Sequence, residues 1–198
     1  MPQPDPHEAR VEPGSPAHPL AGFTCAGQVG HRGLNLSPAD PPAGRHRHKY
    51  GDGPFARLVM PPLPAQSGIY AWVRDGVVLY LGQTQTPLSK RLGSNGYSTI
   101  STYNTLARQP GRTNGGQQTN CRINALANAA LTSEVSLFIW YRIAAPAATK
   151  FEEAEWMSQW GMPPWNRRLE LTDGRAPQGP DTFRAPVISS NAGDAAQG

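Results

Sequence analysis

The sequence predicts a mixed α/β domain set between two low-complexity tails, and three observations carry that expectation. Two β-rich runs, GIYAWV at 68–73 and VVLYLG at 77–82, flank Asp75-Gly76, a pair suited to a hairpin turn. VSLFIWYRI at 135–143 reads as a third alternating strand. Residues 120–131 and 150–160 instead place apolar side chains at helical spacing.

The tails follow from composition. Gly and Pro contribute 21 residues each to a chain of 198, and only 38% of it is hydrophobic against a globular norm of about 45%. Residues 1–48 and 172–198 hold Pro, Gly and Ala in no periodic order, too little apolar surface to offset their ordering entropy, so both are expected to be disordered. Residues 49–66 form a Pro-rich lead-in whose Phe55, Leu58 and Met60 cover one side of a domain spanning 67–171. The basic cluster RHRHK at 45–49 reads as solvated linker. No apolar run nears the roughly 18 residues of a membrane span, and MPQPDPHEAR lacks the basic and apolar regions of a signal peptide. A soluble, cytoplasmic protein with no membrane partner is expected. Cys25 and Cys121 are too few for a disulfide framework or a structural zinc site and are expected as free thiols. The surplus behind the formal charge of +4 lies in residues 60–170, with ten Lys/Arg against six Asp/Glu. Such a basic domain is compatible with a polyanionic partner without identifying one.

Within the domain each element has a local reason. A three-residue loop, Arg74-Asp75-Gly76, aligns Ile69, Ala71 and Val73 with Leu81, Leu79 and Val77 on one apolar face, and a buried face is what sets register. That register places Tyr70 across from Tyr80, and Gly68 across from Gly82, on the other face. A short helix follows, with Thr86 as N-cap, Pro87 at its first position, Leu88 and Leu92 facing the core and Lys90 and Arg91 beside them. Residues 93–120 are rich in Gly, Ser, Thr, Asn and Gln, a loop longer than compact domains usually keep without a function. The helix capped by Asn120 buries Ile123, Leu126, Ala127, Ala130 and Leu131.

The helix at 150–160 carries the most informative carboxylate. At about 100° per residue, Phe151, Trp156, Trp160 and Met157 define an apolar stripe; Glu153 falls in its middle, while Glu152 and Glu155 lie on the polar arc. A carboxylate there is costly unless a cation or hydrogen-bond donors compensate it, and a salt bridge to Arg91 or Arg142 is the plainest compensation. All five histidines precede Lys49, which removes histidine-based catalysis and zinc from the expected domain. Too few carboxylates remain for a two-metal site. One hard cation on Glu153, its oxygen shell completed by water and a substrate phosphate, suits what is left and favours Mg²⁺ or Mn²⁺.

These residues together resemble the GIY-YIG endonuclease superfamily. The likeness rests on Gly68-Ile69-Tyr70, on Tyr80-Leu81-Gly82 in place of YIG, on the helical Arg91 of LSKRL, on Glu153 of EAEWM and on Asn166 of PPWN, in that order over residues 68–166. The resemblance implies a small three-stranded antiparallel sheet flanked by helices, and hydrolysis of DNA phosphodiesters. It implies Tyr70 as the base that deprotonates the attacking water, Tyr80 as its positioning partner, Arg91 on a nonbridging phosphate oxygen, Glu153 as the ligand of Mg²⁺ and Asn166 as a brace. A free tyrosine has a pKa near 10, so the base role requires nearby cations or a metal-bound water.

Three positions depart from the family pattern. Gln83 stands where many relatives have lysine, with Lys90 as substitute cation; Asn95 stands where relatives often have Tyr or His, with Tyr97 to fill in; and thirteen residues separate Glu153 from Asn166, slightly more than in the repair nucleases. The polar segment 93–120 resembles the insertions of restriction-type relatives. Its Arg108, Arg112, Asn114, Gln117 and Gln118 are candidate DNA contacts, with Gly82, Gln83, Lys90 and Tyr97 nearer the catalytic residues and Tyr97 and Tyr103 suited to stack on bases. The expected partner is DNA, with the protein nucleoid-associated when bound and acting as a monomer or homodimer. The alternative is a nucleic-acid-binding module of the same fold without cleavage, against which the complete set Tyr70, Tyr80, Arg91, Glu153, Asn166 argues.

Overall fold

Alternation and turn chemistry between residues 68 and 84 produce the hairpin at the centre of the fold. The computed structural model describes residues 20–35, 39–93, 96–108 and 117–166. In order these form strands β1 (Thr24–Gln28), β2 (Gly30–Asn35), β3 (Phe55–Val59), β4 (Gly68–Arg74) and β5 (Val77–Thr84), and helices α1 (Leu88–Leu92), α2 (Thr102–Thr105) and α3 (Gln118–Thr132). Strand β6 (Phe138–Ile143), helix α4 (Thr149–Trp160) and a 3₁₀ turn, Pro164–Asn166, complete them. All strand pairs are antiparallel: β1-β6-β4-β5 make one sheet, and β2 with β3 a separate ribbon. The class is therefore α+β.

Two expectations are corrected at the N-terminal side. The main sheet has four strands rather than three, and the fourth, β1, comes from the segment expected to be tail. β1 is short and bulged between Cys25 and Gly27, so no period could be read from it, yet it pairs along β6. Leu20 and Phe23 ahead of it are buried, and Phe23 packs edge-on to Trp156 at 5.4 Å. The basic cluster is not a solvated linker. Arg47 bridges to Leu106, the His46 carbonyl accepts from the Ala107 N–H, and His48 is buried with its Nε2 2.8 Å from the Asn104 carbonyl. The lead-in supplies β3, whose Phe55 and Leu58 are buried as expected. Two histidines thus belong to the folded body, His31 meeting Asn128 and His48 meeting Asn104.

The hairpin register also differs from expectation. Asp75 and Gly76 both take positive φ, +46° and +75°, the signature of a two-residue type I′ turn, so Arg74 pairs with Val77 and Val73 with Val78. A bulge then makes Leu79 the extra residue, and pairing resumes as Trp72 with Tyr80, Ala71 with Leu81, Tyr70 with Gly82 and Gly68 with Thr84. The bulge reconciles the tight turn with the apolar pattern. Ile69, Ala71, Val73, Val78 and Leu81 share one buried face, while Leu79 joins Tyr70, Trp72 and Tyr80 in the other cluster.

The helices are close to expectation, with shifted ends. Pro87, not Thr86, is the N-cap of α1, and Gln117, not Asn120, that of α3. Trp156, Met157 and Trp160 of α4 pack on the Ile69 face as the wheel predicts, but Phe151 is 73% exposed and leaves the stripe. The insertion holds α2, and Cys121 is buried against Phe55 and Ile100. Residues 172–198 lie outside the described residues.

Candidate active site on the phenolic face

β4 and β5 present Tyr70, Trp72 and Tyr80 on the face opposite the Ile69 cluster, and Gly82 makes room for them. A Cβ at Gly82 would stand 2.7 Å from the Tyr70 hydroxyl and 2.7 Å from a Tyr80 ring carbon. Bare backbone at this position therefore lets both rings converge, although they meet diagonally rather than across the ladder, with centroids 6.1 Å apart.

A third phenol completes the cluster. Tyr97 is fully buried, its hydroxyl 2.7 Å from that of Tyr70, with its ring 6.1 Å from Tyr70 and 6.4 Å from Tyr80. It is thus not available to stack on a base, as it was expected to be; it stands in the cluster instead. The α1 helix delivers Arg91, half-buried, whose Nη2 donates to the Tyr97 hydroxyl at 3.0 Å and whose Nη1 donates to Asn120 Oδ1 at 2.9 Å.

Electrostatics separate these groups. Burial, and then the neighbouring Tyr70, push the Tyr80 hydroxyl well above the usual phenol range, against the Tyr97 hydrogen bond and Arg91. Tyr97 is raised by burial and by the other two phenols. Burial opposes the charge on Arg91, but Tyr70, Tyr97 and Tyr80 outweigh it and raise its pKa further. At neutral pH the cluster therefore holds a permanent cation among phenols of which Tyr80 and Tyr97 keep their protons.

Glu153 approaches from α4. It is half-buried, burial lifts its carboxyl above the ordinary range, and its charge is felt at Tyr80. The salt bridge considered for it is made by its neighbour: Arg142 pairs with Glu152 at 3.3 Å, and among the described residues Glu153 makes none. Glu152 is thus not the solvated charge that its place on the polar arc implied. Glu155 is exposed.

Asn166 has a visible task. β5 is an edge strand, and the Asn166 amide accepts from the Leu81 N–H at 2.8 Å and donates to the Leu81 carbonyl at 2.7 Å, standing in for a further strand. This holds the backbone between Tyr80 and Gly82. Asn124 does the same for β3, accepting from Ala56 N–H at 2.8 Å and donating to its carbonyl at 2.9 Å, while also reaching the Tyr97 carbonyl.

The remaining candidates scatter. Gln83 accepts from the Thr149 hydroxyl at 2.8 Å and is tied to the start of α4. Lys90, Arg108, Gln117 and Gln118 are exposed, and Tyr103 is 50% exposed; Arg112 and Asn114 lie outside the described residues. Asn120 and Asn124 were missed as parts of the site. Their signal was present: Asn120, Asn124 and Asn128 recur every fourth residue on one face of α3, and all three are buried.

Among the described residues no group of three or more His, Cys, Asp or Glu could hold a metal ion, so a cation here would have at most two such protein ligands from them. Glu153 fits that part, being a partly desolvated carboxylate that makes no salt bridge among the described residues. Comparison of the chain with family models, with curated proteins and with solved structures gives no match. No described helix is long and apolar enough to cross a membrane.

Proposed function

We propose that this chain is a Mg²⁺-dependent DNA endonuclease of the GIY-YIG kind. The observation that carries the reading is the meeting, from β4, β5 and α1, of Tyr70, Tyr80 and Arg91 around Tyr97, with the charge of Glu153 on α4 reaching Tyr80. Tyr70, Tyr80 and Arg91, singled out by motif order, are neighbours in this cluster, which supports the reading.

Arg91 binds a nonbridging phosphate oxygen and offsets the charge that grows in the transition state. Tyr70, whose hydroxyl is hydrogen-bonded to the Tyr97 hydroxyl that Arg91 also holds, is the base that takes the proton of the attacking water. Tyr80, kept protonated by its surroundings, orients that water by hydrogen bonding. Glu153 would hold Mg²⁺, which when bound supplies Lewis-acid stabilisation of the phosphate and the leaving oxygen. Asn166 keeps β5 in place beneath the phenols. Tyr70 is fully buried with its hydroxyl on that of Tyr97, so substrate reaches it only when the cluster around it shifts.

The test is cleavage of plasmid and branched DNA with and without Mg²⁺, wild type beside Glu153→Ala. Metal-dependent nicking by the wild type alone is expected. Equal nicking by both proteins, or cleavage by neither, overturns the reading, and DNA bound but cut by neither points to a binding module of the same fold.

A further inference from the structure

Arg91 is positioned from outside the motif residues. The α1 helix that carries it has five residues and ends at Gly93, and an arginine side chain has large rotamer freedom, so the helix alone does not set the guanidinium. Asn120 does. It is 1% exposed, stands in the first turn of α3, and meets Arg91 across 29 positions of sequence.

The orientation of the Asn120 amide has one chemical solution. A guanidinium only donates, so the atom facing Arg91 is the amide oxygen; the amide nitrogen then faces two acceptors, the Gly96 carbonyl at 3.4 Å and the Gln117 side-chain oxygen. Both ends of the amide are engaged, and turning it over would set a donor against a donor. Tyr97 holds Nη2 and lays its ring 4.9 Å from the guanidinium carbon, but with that single hydrogen bond the planar fork could still swing about Nη2. Held by Asn120 at Nη1 as well, its plane is determined.

We propose that Asn120 is a positioning residue that fixes the plane of the Arg91 guanidinium so that its other N–H groups meet a nonbridging phosphate oxygen. The proposal rests on the nuclease reading above. Asn120 never touches substrate in this scheme; it acts through Arg91.

Asn128 supplies the control. It is buried on the same face of α3, but its Oδ1 lies 3.2 Å from His31 Nε2 rather than at the phenols or the guanidinium. Wild type, Asn120→Ala, Asn120→Asp and Asn128→Ala are compared in Mg²⁺-dependent cleavage of a DNA duplex and by ¹⁵N NMR of the Arg91 guanidinium, assigned with Arg91→Lys. Asn120→Ala is expected to lower kcat by roughly 10- to 100-fold, with a smaller change in KM, and to average the Arg91 Nη signals that the wild type keeps distinct. Asn120→Asp, which retains an acceptor toward Arg91, restores distinct signals and part of kcat, and Asn128→Ala cuts like the wild type. Should Asn120→Ala fail to fold, Asn120→Ser takes its place with the same expectation. An Asn120 variant as active as wild type, unchanged Arg91 signals, or an equal loss in Asn128→Ala overturns the assignment. A wild type that cuts no DNA overturns the nuclease reading, and this role with it.

Discussion

The two faces of the β4–β5 hairpin are equally buried but held by different physics. On one, Ile69, Ala71, Val73, Val78 and Leu81 pack with Phe23, Trp140 and Trp160, and removal of apolar area from water suffices. On the other, Tyr70, Tyr80 and Tyr97 bring hydroxyls and Arg91 a charge, each of which loses water and must find a partner. The first face tolerates any filling of the right volume. The second depends on particular atoms at particular distances, and that is the property of a site.

The sharpest way to break this comparison is to damage the faces one at a time. Trp140→Ala should cost about 3–5 kcal/mol of stability by leaving a cavity, seen as a lower denaturant midpoint, while cleavage per folded molecule stays close to wild type. A large loss of rate in that variant would show the faces to be coupled. Glu153→Gln, on α4 beside the Ile69 face, should leave the apolar packing intact and lose on the order of 10²–10³ in the proposed cleavage rate. It should also raise the melting temperature at neutral pH. Burial lifts the folded carboxyl above its ordinary 4.5, so ionising it costs stability as pH rises through the window above 4.5, and glutamine removes that cost. A destabilised Glu153→Gln would mean that the carboxylate has an unseen stabilising partner.

Smaller changes sharpen the same contrast. Asn124→Ala leaves the Ala56 backbone without its side-chain partner and should cost about 2–3 kcal/mol, read from denaturant unfolding. Gly82→Ala pushes a methyl group against both tyrosines and should cost about 1–3 kcal/mol, with activity falling further than stability alone explains. The smallest effect lies at His48. Burial holds its pKa below 6.5, so stability present at neutral pH declines as pH falls below 6.5, and His48→Gln should flatten that part of the melting-temperature profile. An unchanged acid limb would assign the loss to other groups.

Legibility followed the range of the interaction. The β-rich hairpin runs and α4 were readable because periods of 2 and 3.6 are set by chain neighbours. The pairing of Arg142 with Glu152 was misjudged because the wheel says which arc a side chain occupies and not what stands opposite it. Similarly, β1 and β2 gave no periodic signal: their stability comes from edges offered by β6 and β3, not from their own residues.

By itself the sequence determined which residues are chemically capable: two motif tyrosines, one helical arginine, one carboxylate out of place among tryptophans, and an asparagine after Pro-Pro-Trp. Only the tertiary structure decided the bulge at Leu79, the third phenol at Tyr97 and the hold of Asn120 on Arg91. Hydrogen bonds act over about 3 Å in space and are indifferent to distance along the chain, so their partners appear only when separate surfaces have met.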